Sequence, residues 1–266
     1  MRHHLASTLV LFALFDSHAC IAVDVPCHDV DVCVYGGTAS GVMAALAAGQ
    51  EGANVILVEP SRWLGGMTGG GINHLDWGKG NTVGGSTYKI LMEGVKEQPR
   101  AHGGHAVQGI GNRAYRERFK KAVEDRNITV IYNHRVGKVQ VGDRTIDSPT
   151  RKDPIAMNES FAVTNQSNSI RSISLDYAPV DETGCPIPVP EKRNAITVSA
   201  KVFIDCSYEG DVLGMSGASY TWGRESREHY DESLAGVRPS LWVHDIDPYV
   251  EPGNPESGLV SFVQDK

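Results

Sequence analysis

The stretch VYGGTASGVMAALAAGQEGANVILVEPSRWLGGMTGGG, Val34 to Gly71, decides how the rest of the chain is read. It opens and closes on glycines, and its central apolar run ends on one acid, Glu59. The residues that lead into it, DVDVCVYGG, form a compact apolar run ending in glycine, the pattern of a strand buried on both faces. SGVMAALAAGQEG predicts a helix. Val42, Ala45, Leu46 and Gly49 share one face, and Gly52 supplies the stop. ANVILVEP predicts a second buried strand, closed by Pro60. Strand, helix and strand make a right-handed crossover of about 30 residues.

Gly36-x-Thr38-x-x-Gly41 therefore sits at a strand-to-helix turn, with Glu59 at the end of the next strand. That is the context of a dinucleotide-binding fingerprint. Gly36 permits the tight turn, and Gly41 lets helix pack closely on strand. The central position of the fingerprint is usually glycine. Thr38 brings a Cβ there, and also a hydroxyl able to bond a phosphate oxygen. Phosphates over the helix N-terminus would meet free N–H groups and the positive end of the dipole. Glu59 would accept bonds from the adenosine ribose, and its charge disfavours a 2′-phosphate. Beyond it, Arg62-x-x-Gly65-Gly66 adds a second glycine loop. An NAD domain does not need that loop, but an FAD domain does, because backbone must pass close to pyrophosphate and flavin.

The whole chain sets bounds on this reading. Its 266 residues carry a formal charge of −7 and no block of Lys or Arg. A nucleic-acid surface, which needs a concentrated basic patch, is not indicated. The first residues, MRHHLASTLVLFALFDSHACIAVD, have a basic start, an apolar run from Leu5 to Phe15, and small residues after it. That run is too short to span a bilayer and reads as a secretory signal peptide over residues 1–22. Export to a periplasmic or extracellular compartment is the expectation. Of the five cysteines, Cys33 lies in the first apolar strand and reads as a small buried hydrophobe. No pair has metal-ligand spacing, so no metal site is expected.

Five segments carry a resemblance to a known family: YGGTASG, VEPSRWLGGMTGGG, AKVFIDCSYEGDVLGMSGASYTWGRES, ESLAGVRP and DPYVEPGNPESGL. They resemble the FAD-dependent oxidoreductases of the glutathione-reductase-like superfamily, including members called xanthan lyase-like. Thr38 is usual in that group. The resemblance implies an α/β fold: a Rossmann-like FAD-binding domain with a parallel sheet, crossover helices and a β-meander. It also implies that Gly36, Gly37, Thr38 and Gly41 contact the pyrophosphate and Glu59 the ribose. Gly65, Gly66 and Met67 would lie on the flavin side of the cofactor, Arg62 would be a further cofactor-binding residue, and a backbone contact from Val136 would reach adenine. Relatives close the domain with a late Gly-Asp strand end and continue past the length of this chain. No such segment is found here, so the C-terminal part of the family fold is expected to be missing.

The middle of the chain fits the same scheme. NRAYRERFKKAVEDRN predicts a helix with Tyr115, Phe119, Ala122 and Val123 on one face. ITVIYNHRVGKVQV reads as strand, bend and strand, and SIRSISLDY as a half-buried strand. RNAITVSAKVFIDCSYEGD reads as a strand pair and a turn. Residues 143–168 are polar and read as loop within an insert of about 143–194. The division is thus a signal over 1–22, an FAD-binding domain over 23–220, and the start of a substrate region over 221–266. Glu209 reads as a cap for the helix after the turn, and Asp211 is left open.

No catalytic group announces itself. His74, Asp76 and Trp77 follow the second glycine loop, and Arg224 and Glu225 come later; Asp76 is the first choice. His102 and His105 in a glycine loop do not make a metal site. The expected activity is hydride transfer between FAD and a small organic substrate, carbohydrates being one candidate class. Two alternatives stay open: a non-catalytic or split remnant completed by a partner chain, and an NAD-binding dehydrogenase domain.

Overall fold

The computed structural model describes residues 25–70, 74–75, 84–93, 96–99, 105–108, 111–148, 169–220, 225–233, 235–236, 247 and 249–258. The leader, Asp76, Trp77, His102 and Arg224 lie outside them.

The first crossover forms as its sequence dictates. Strand β1 (Cys27–Tyr35) leads into helix α1 (Ala39–Gln50) and then strand β2 (Val55–Glu59). All five residues of β2 are buried, so an unbroken apolar run is what this strand needs. Gly52 takes φ +86° just after α1, the left-handed position expected of a glycine stop.

After β2 come a short helix α2 (Gly66–Gly70), strand β3 (His74–Leu75), helix α3 (Gly85–Met92), and strands β4 (Lys96–Pro99) and β5 (His105–Gln108). Strands β3, β5 and β4 form a small antiparallel sheet in that order. Helix α4 (Asn112–Glu124) then returns the chain to strand β6 (Thr129–Tyr132), parallel to β2. The remaining elements are β7 (His134–Val141), β8 (Arg144–Asp147), β9 (Ile170–Tyr177), β10 (Lys192–Asp205), α5 (Asp211–Ser216) and α6 (Arg227–Tyr230).

The main sheet has the order β6-β2-β1-β10-β9-β7-β8. Strands β6, β2, β1 and β10 are parallel, and β9, β7 and β8 continue antiparallel as the meander. The α/β class, the parallel sheet, the crossover helices and the meander are all present. Two details differ from the sequence reading. Residues 192–205 form one long strand, not a pair; a register irregularity between Lys192 and Ile196 absorbs its bend. Strand β8 lies inside the stretch read as loop, since an alternating polar edge strand has little apolar signal.

The sheet buries a core on each face. On one, Val34, Val42, Ala45, Leu46, Leu57, Leu64, Tyr115, Phe119 and Val123 tie β1, β2, α1 and α4 together. On the other, Cys33, Tyr35, Ile56 and Val58 pack with Val136, Val139, Ile173 and Leu175 of the meander and with Val212 and Met215 of α5. Alternate residues of β1 thus serve opposite cores, as the two-residue period requires. Burial pushes the Cys33 thiol up to about 12, in keeping with its role as a small hydrophobe.

The chain passes from β1 to β2 and β6 on one side, and returns to β10 on the other. A parallel sheet leaves a crevice where its order reverses, here between the ends of β1 and β10. The first glycine turn lies there. A β-carbon on Gly41 would fall 1.9 Å from the Gly36 carbonyl oxygen. At Gly49, in the same helix, it would meet only Ile128 at 3.6 Å. Gly41→Ala should therefore cost about 3 kcal/mol or more through forced displacement of α1. Gly49→Ala should stabilise by about 0.5–1 kcal/mol through helix propensity. Urea denaturation followed by circular dichroism reads both; equal effects would show that close helix–strand contact does not govern this turn.

Candidate dinucleotide site

The site is built at the C-terminal ends of β1, β2 and β10. At the end of β1, Gly36 takes φ +93°, and a β-carbon on it would strike Ser207 N at 2.6 Å and the Cys206 carbonyl carbon at 2.8 Å. Only a glycine lets this turn sit against the end of β10. Cys206 N–H donates to the Tyr35 carbonyl at 2.7 Å, locking the two strand ends together.

Thr38 is the N-cap of α1. Its hydroxyl accepts from Gly41 N–H at 3.2 Å and lies 2.9 Å from both the Cys206 carbonyl oxygen, to which it donates, and Ser40 Oγ. The sequence suggested a hydroxyl for phosphate; the structure commits it to bracing helix against β10. The N–H groups of Ala39 and Ser40, in the first turn of α1, have no carbonyl partner within the helix. They are the natural donors to an anion there.

Glu59 is buried, and its carboxylate is already employed. Oε2 accepts from Gly37 N–H at 2.6 Å and Oε1 from Ser61 N–H at 2.7 Å. Burial pushes its pKa up, opposed by the bonds from Ser61 and Gly37. Each carboxylate oxygen retains a second lone pair for a hydroxyl donor. A β-carbon on Gly37 would meet Glu59 Oε2 at 2.8 Å and Leu64 Cδ2 at 2.6 Å. The acid thus fixes the turn as well as facing the position expected for a ribose.

The second glycine loop docks on the first. Gly65 N–H donates to the Gly37 carbonyl at 2.8 Å, and Thr38 and Gly65 form an isolated parallel bridge. A β-carbon on Gly65 would lie 2.5 Å from the Phe119 ring, and one on Gly66 2.2 Å from the Tyr208 hydroxyl and 3.2 Å from Thr38 Cα. Packing against Phe119 therefore demands glycine at Gly65, and a left-handed φ of +51° favours it at Gly66. Met67 is exposed, and its N–H donates to Tyr208 Oη at 2.8 Å. Arg62 stacks on Trp63, 4.6 Å from the ring centroid. Val136 N–H donates to Tyr35 Oη at 3.1 Å, tying β7 to the end of β1.

The turn after β10 also differs from its sequence reading. Asp205 and Ser207 hold α5, with Leu213 N–H on Asp205 Oδ2 at 2.8 Å and Asp211 N–H on Ser207 Oγ at 3.0 Å. Glu209 does not cap it. The Asp211 carboxylate accepts from the buried Tyr35 hydroxyl at 3.3 Å. Partial burial first, then the Glu209 and Asp205 carboxylates, push Asp211 up, against the Tyr35 bond and Arg135. Burial, then Asp211, holds the Tyr35 hydroxyl well above its usual range. A Tyr208 bridge between two loops has no local sequence signal. The Asp205–Ser207 turn does have one, because Asp two residues before Ser favours an Asx turn.

Of the other acid–base candidates, three fall on described residues. His74 lies in β3, His105 in β5 and Glu225 before α6. Among the described residues no group of three or more His, Cys, Asp or Glu could hold a metal ion, and no helix is long and apolar enough to cross a membrane. A cavity of about 350 Å³ lies between α1, α3 and α4, lined by Leu46, Gln50, Lys89 and Arg126, at the far end of α1 from the glycine turn.

A glycine turn at a sheet's reversal point, a helix N-terminus beside it and an acid on the next strand are the features of a dinucleotide-binding fold. The family model described as FAD dependent oxidoreductase matches residues 31–157 and 178–259, more than half of the chain, and the chain belongs to that family. FAD is the cofactor of the family. No curated protein matches the sequence. Among solved structures, a flavocytochrome c3 fumarate reductase is similar at 17% identity and TM-score 0.39, covering 68% of this chain and 34% of that one. A flavoprotein/dehydrogenase from Cytophaga hutchinsonii is similar at 15% identity and TM-score 0.43, over 74% of this chain and 44% of that one. THI4 from Thermovibrio ammonificans is similar at 15% identity and TM-score 0.37, over 71% and 86%. The chain thus spans about a third to a half of the first two.

Glu59→Gln tests the brace. Glutamine offers one acceptor oxygen, and its amide would face one of the two N–H donors. Stability should fall by about 1.5–3 kcal/mol, the range for a bond to a charged group. The sign with pH is also fixed. A carboxyl whose pKa is raised on folding holds its proton more tightly in the native state. Its contribution to stability is therefore largest below the ordinary carboxylate range. It falls as pH rises from there through the raised value. Denaturation midpoints across that window should decline for the parent chain and decline less for Glu59→Gln. Parallel curves of equal height would remove Glu59 from the brace.

Proposed function

We propose that this chain binds the ADP half of FAD across the crevice between β1 and β10 and serves hydride transfer to or from a small organic substrate. The observation that carries the reading is the Gly36–Gly41 turn. It is pressed against the end of β10, with Glu59 N–H-bonded beside it, so that glycine backbone leads up to the α1 N-terminus. The residues present fit the cofactor. The amides of Ala39 and Ser40 would hold the phosphates, and the free lone pairs of Glu59 the ribose diol. Gly65 and Gly66 would keep the second loop low beside them. When bound, FAD supplies the two-electron redox centre. What the chain itself does is orient that group, exclude side chains from the phosphate path, and keep a charged acceptor at the ribose.

Export belongs to the same proposal and is supported by the basic start and apolar run of residues 1–22. Its substrate class rests on the family resemblance alone.

Titration of the full chain with FAD, read by flavin fluorescence and by melting temperature, tests the central claim. Saturable binding is expected, and Ser40→Pro, which removes one first-turn N–H, should weaken it about tenfold. Glu59→Gln should also weaken it, by about ten- to a hundredfold. A melting temperature raised by NAD and unmoved by FAD would replace this reading with that of an NAD-binding domain.

A further inference from the structure

Two guanidinium groups lie over the ring of Trp63. Arg62 covers one position over its ring and Arg116 of α4 another, each 4.6 Å from the centroid. A β-carbon on Gly184 would lie 2.5 Å from Trp63 Cη2 and 3.0 Å from Arg62 Nε, and one on Gly69 would lie 3.0 Å from Arg116 Cγ. Indole and guanidinium stems are thus wedged between backbone segments.

These groups line a cavity of about 280 Å³ with Leu64, Arg113, Glu117, Lys120 and Tyr132. Four cations face it against one carboxylate, in a chain whose net charge is −7. Among the described residues no carboxylate lies within 4.0 Å of Arg62, Arg113 or Arg116. Only Lys120 has an acidic neighbour at that range, Glu124 at 3.8 Å. The larger cavity near α3 contrasts with this. There Lys121 is paired with Asp125 at 2.8 Å, and Arg118 donates to the Ile90 carbonyl at 3.0 Å. Like charges gathered without partners repel one another, and stacking on Trp63 offsets only part of that. An anion in the cavity would offset the rest, and guanidinium forks match tetrahedral oxyanions with paired N–H donors.

We propose that this cavity is a phosphate-binding site, formed by Arg62, Arg113, Arg116 and Lys120 around Trp63. It is separate from the phosphate path at the α1 N-terminus and does not depend on FAD being bound there. Tyr132 pairs with Glu59 across β6 and β2, so the site flanks the acid assigned to the ribose. The phosphate group can arrive free in solution or as the 2′-phosphate of a nucleotide, in which case the four cations of the cavity outweigh the Glu59 charge.

The full chain is titrated with inorganic phosphate against chloride at constant ionic strength, and binding is read by calorimetry and melting temperature. A second arm compares adenosine 2′,5′-bisphosphate with AMP. Saturable phosphate binding, weakened about tenfold in Arg113→Gln and in Arg116→Gln but unchanged in Lys121→Gln, is expected. Arg113 is exposed, so its substitution should leave the fold intact, and Arg113→Lys keeps the charge while removing the fork. Binding of the bisphosphate without binding of inorganic phosphate or AMP, lost in the same variants, assigns the nucleotide-borne source. No saturable binding of any of the three, or binding equal in Arg113→Gln and the parent chain, would overturn the site.

Discussion

The Gly36 carbonyl and the α-carbon of Gly41 approach so closely that no side chain can come between them. This contact sets the height of α1 over β1. Because α1 is held low, Leu46 and Val42 reach the core shared with Phe119 and Tyr115. For the same reason the first-turn amides of α1 end beside the strand rather than above it. The second approach, of Gly36 to Cys206 and Ser207, brings β10 to the same height. The two approaches create a crevice walled by backbone. Elsewhere in the sheet, side chains fill the space between layers.

The polar contacts around the turn reinforce this constraint rather than compete with it. Glu59 ties the turn to β2, Thr38 ties it to β10, and Gly65 ties the second loop to Gly37. Each uses a group that a nucleotide site also needs. A buried carboxylate is costly unless bonded, and two N–H donors offset that cost before any ligand arrives. The same donors leave its outer lone pairs aimed by geometry that is already fixed. The turn is therefore ordered by the fold itself, which is what the proposed nucleotide site would require.

The first crossover was legible because its signals are local: apolar runs, a helical stripe, glycines at both ends, and an acid at a strand end. Helix α4, with Tyr115, Phe119 and Val123 buried, was legible for the same reason. What escaped the sequence is long-range or polar. The hydroxyl of Thr38 finds its acceptor 168 residues away at Cys206, and the Met67 amide finds Tyr208 141 residues away. The Val136 amide finds the Tyr35 hydroxyl 101 residues away. Edge strand β8 alternates partly buried and exposed residues and offers no apolar run. The Arg62–Trp63–Arg116 stack joins a loop to a helix more than fifty residues on, and nothing in either segment alone announces it.

The glycines of the second loop bear on how such motifs are read at all. Gly65 and Gly66 match a pattern usually explained by a cofactor passing overhead. In this chain a side chain at Gly65 would strike Phe119 from within, and one at Gly66 would approach Thr38 Cα and the Tyr208 hydroxyl. Packing alone therefore requires glycine at Gly65, whether or not a ligand is near. Gly66 is different, because the nearest obstacle is the far end of an exposed tyrosine that can swing aside. Its φ of +51° is a left-handed value that a side chain resists. The motif thus mixes one position fixed by the core with one fixed by backbone conformation, and both leave the approach to α1 bare. A sequence pattern that looks like a single functional signature is, physically, two structural constraints that each hold whether or not a ligand is near.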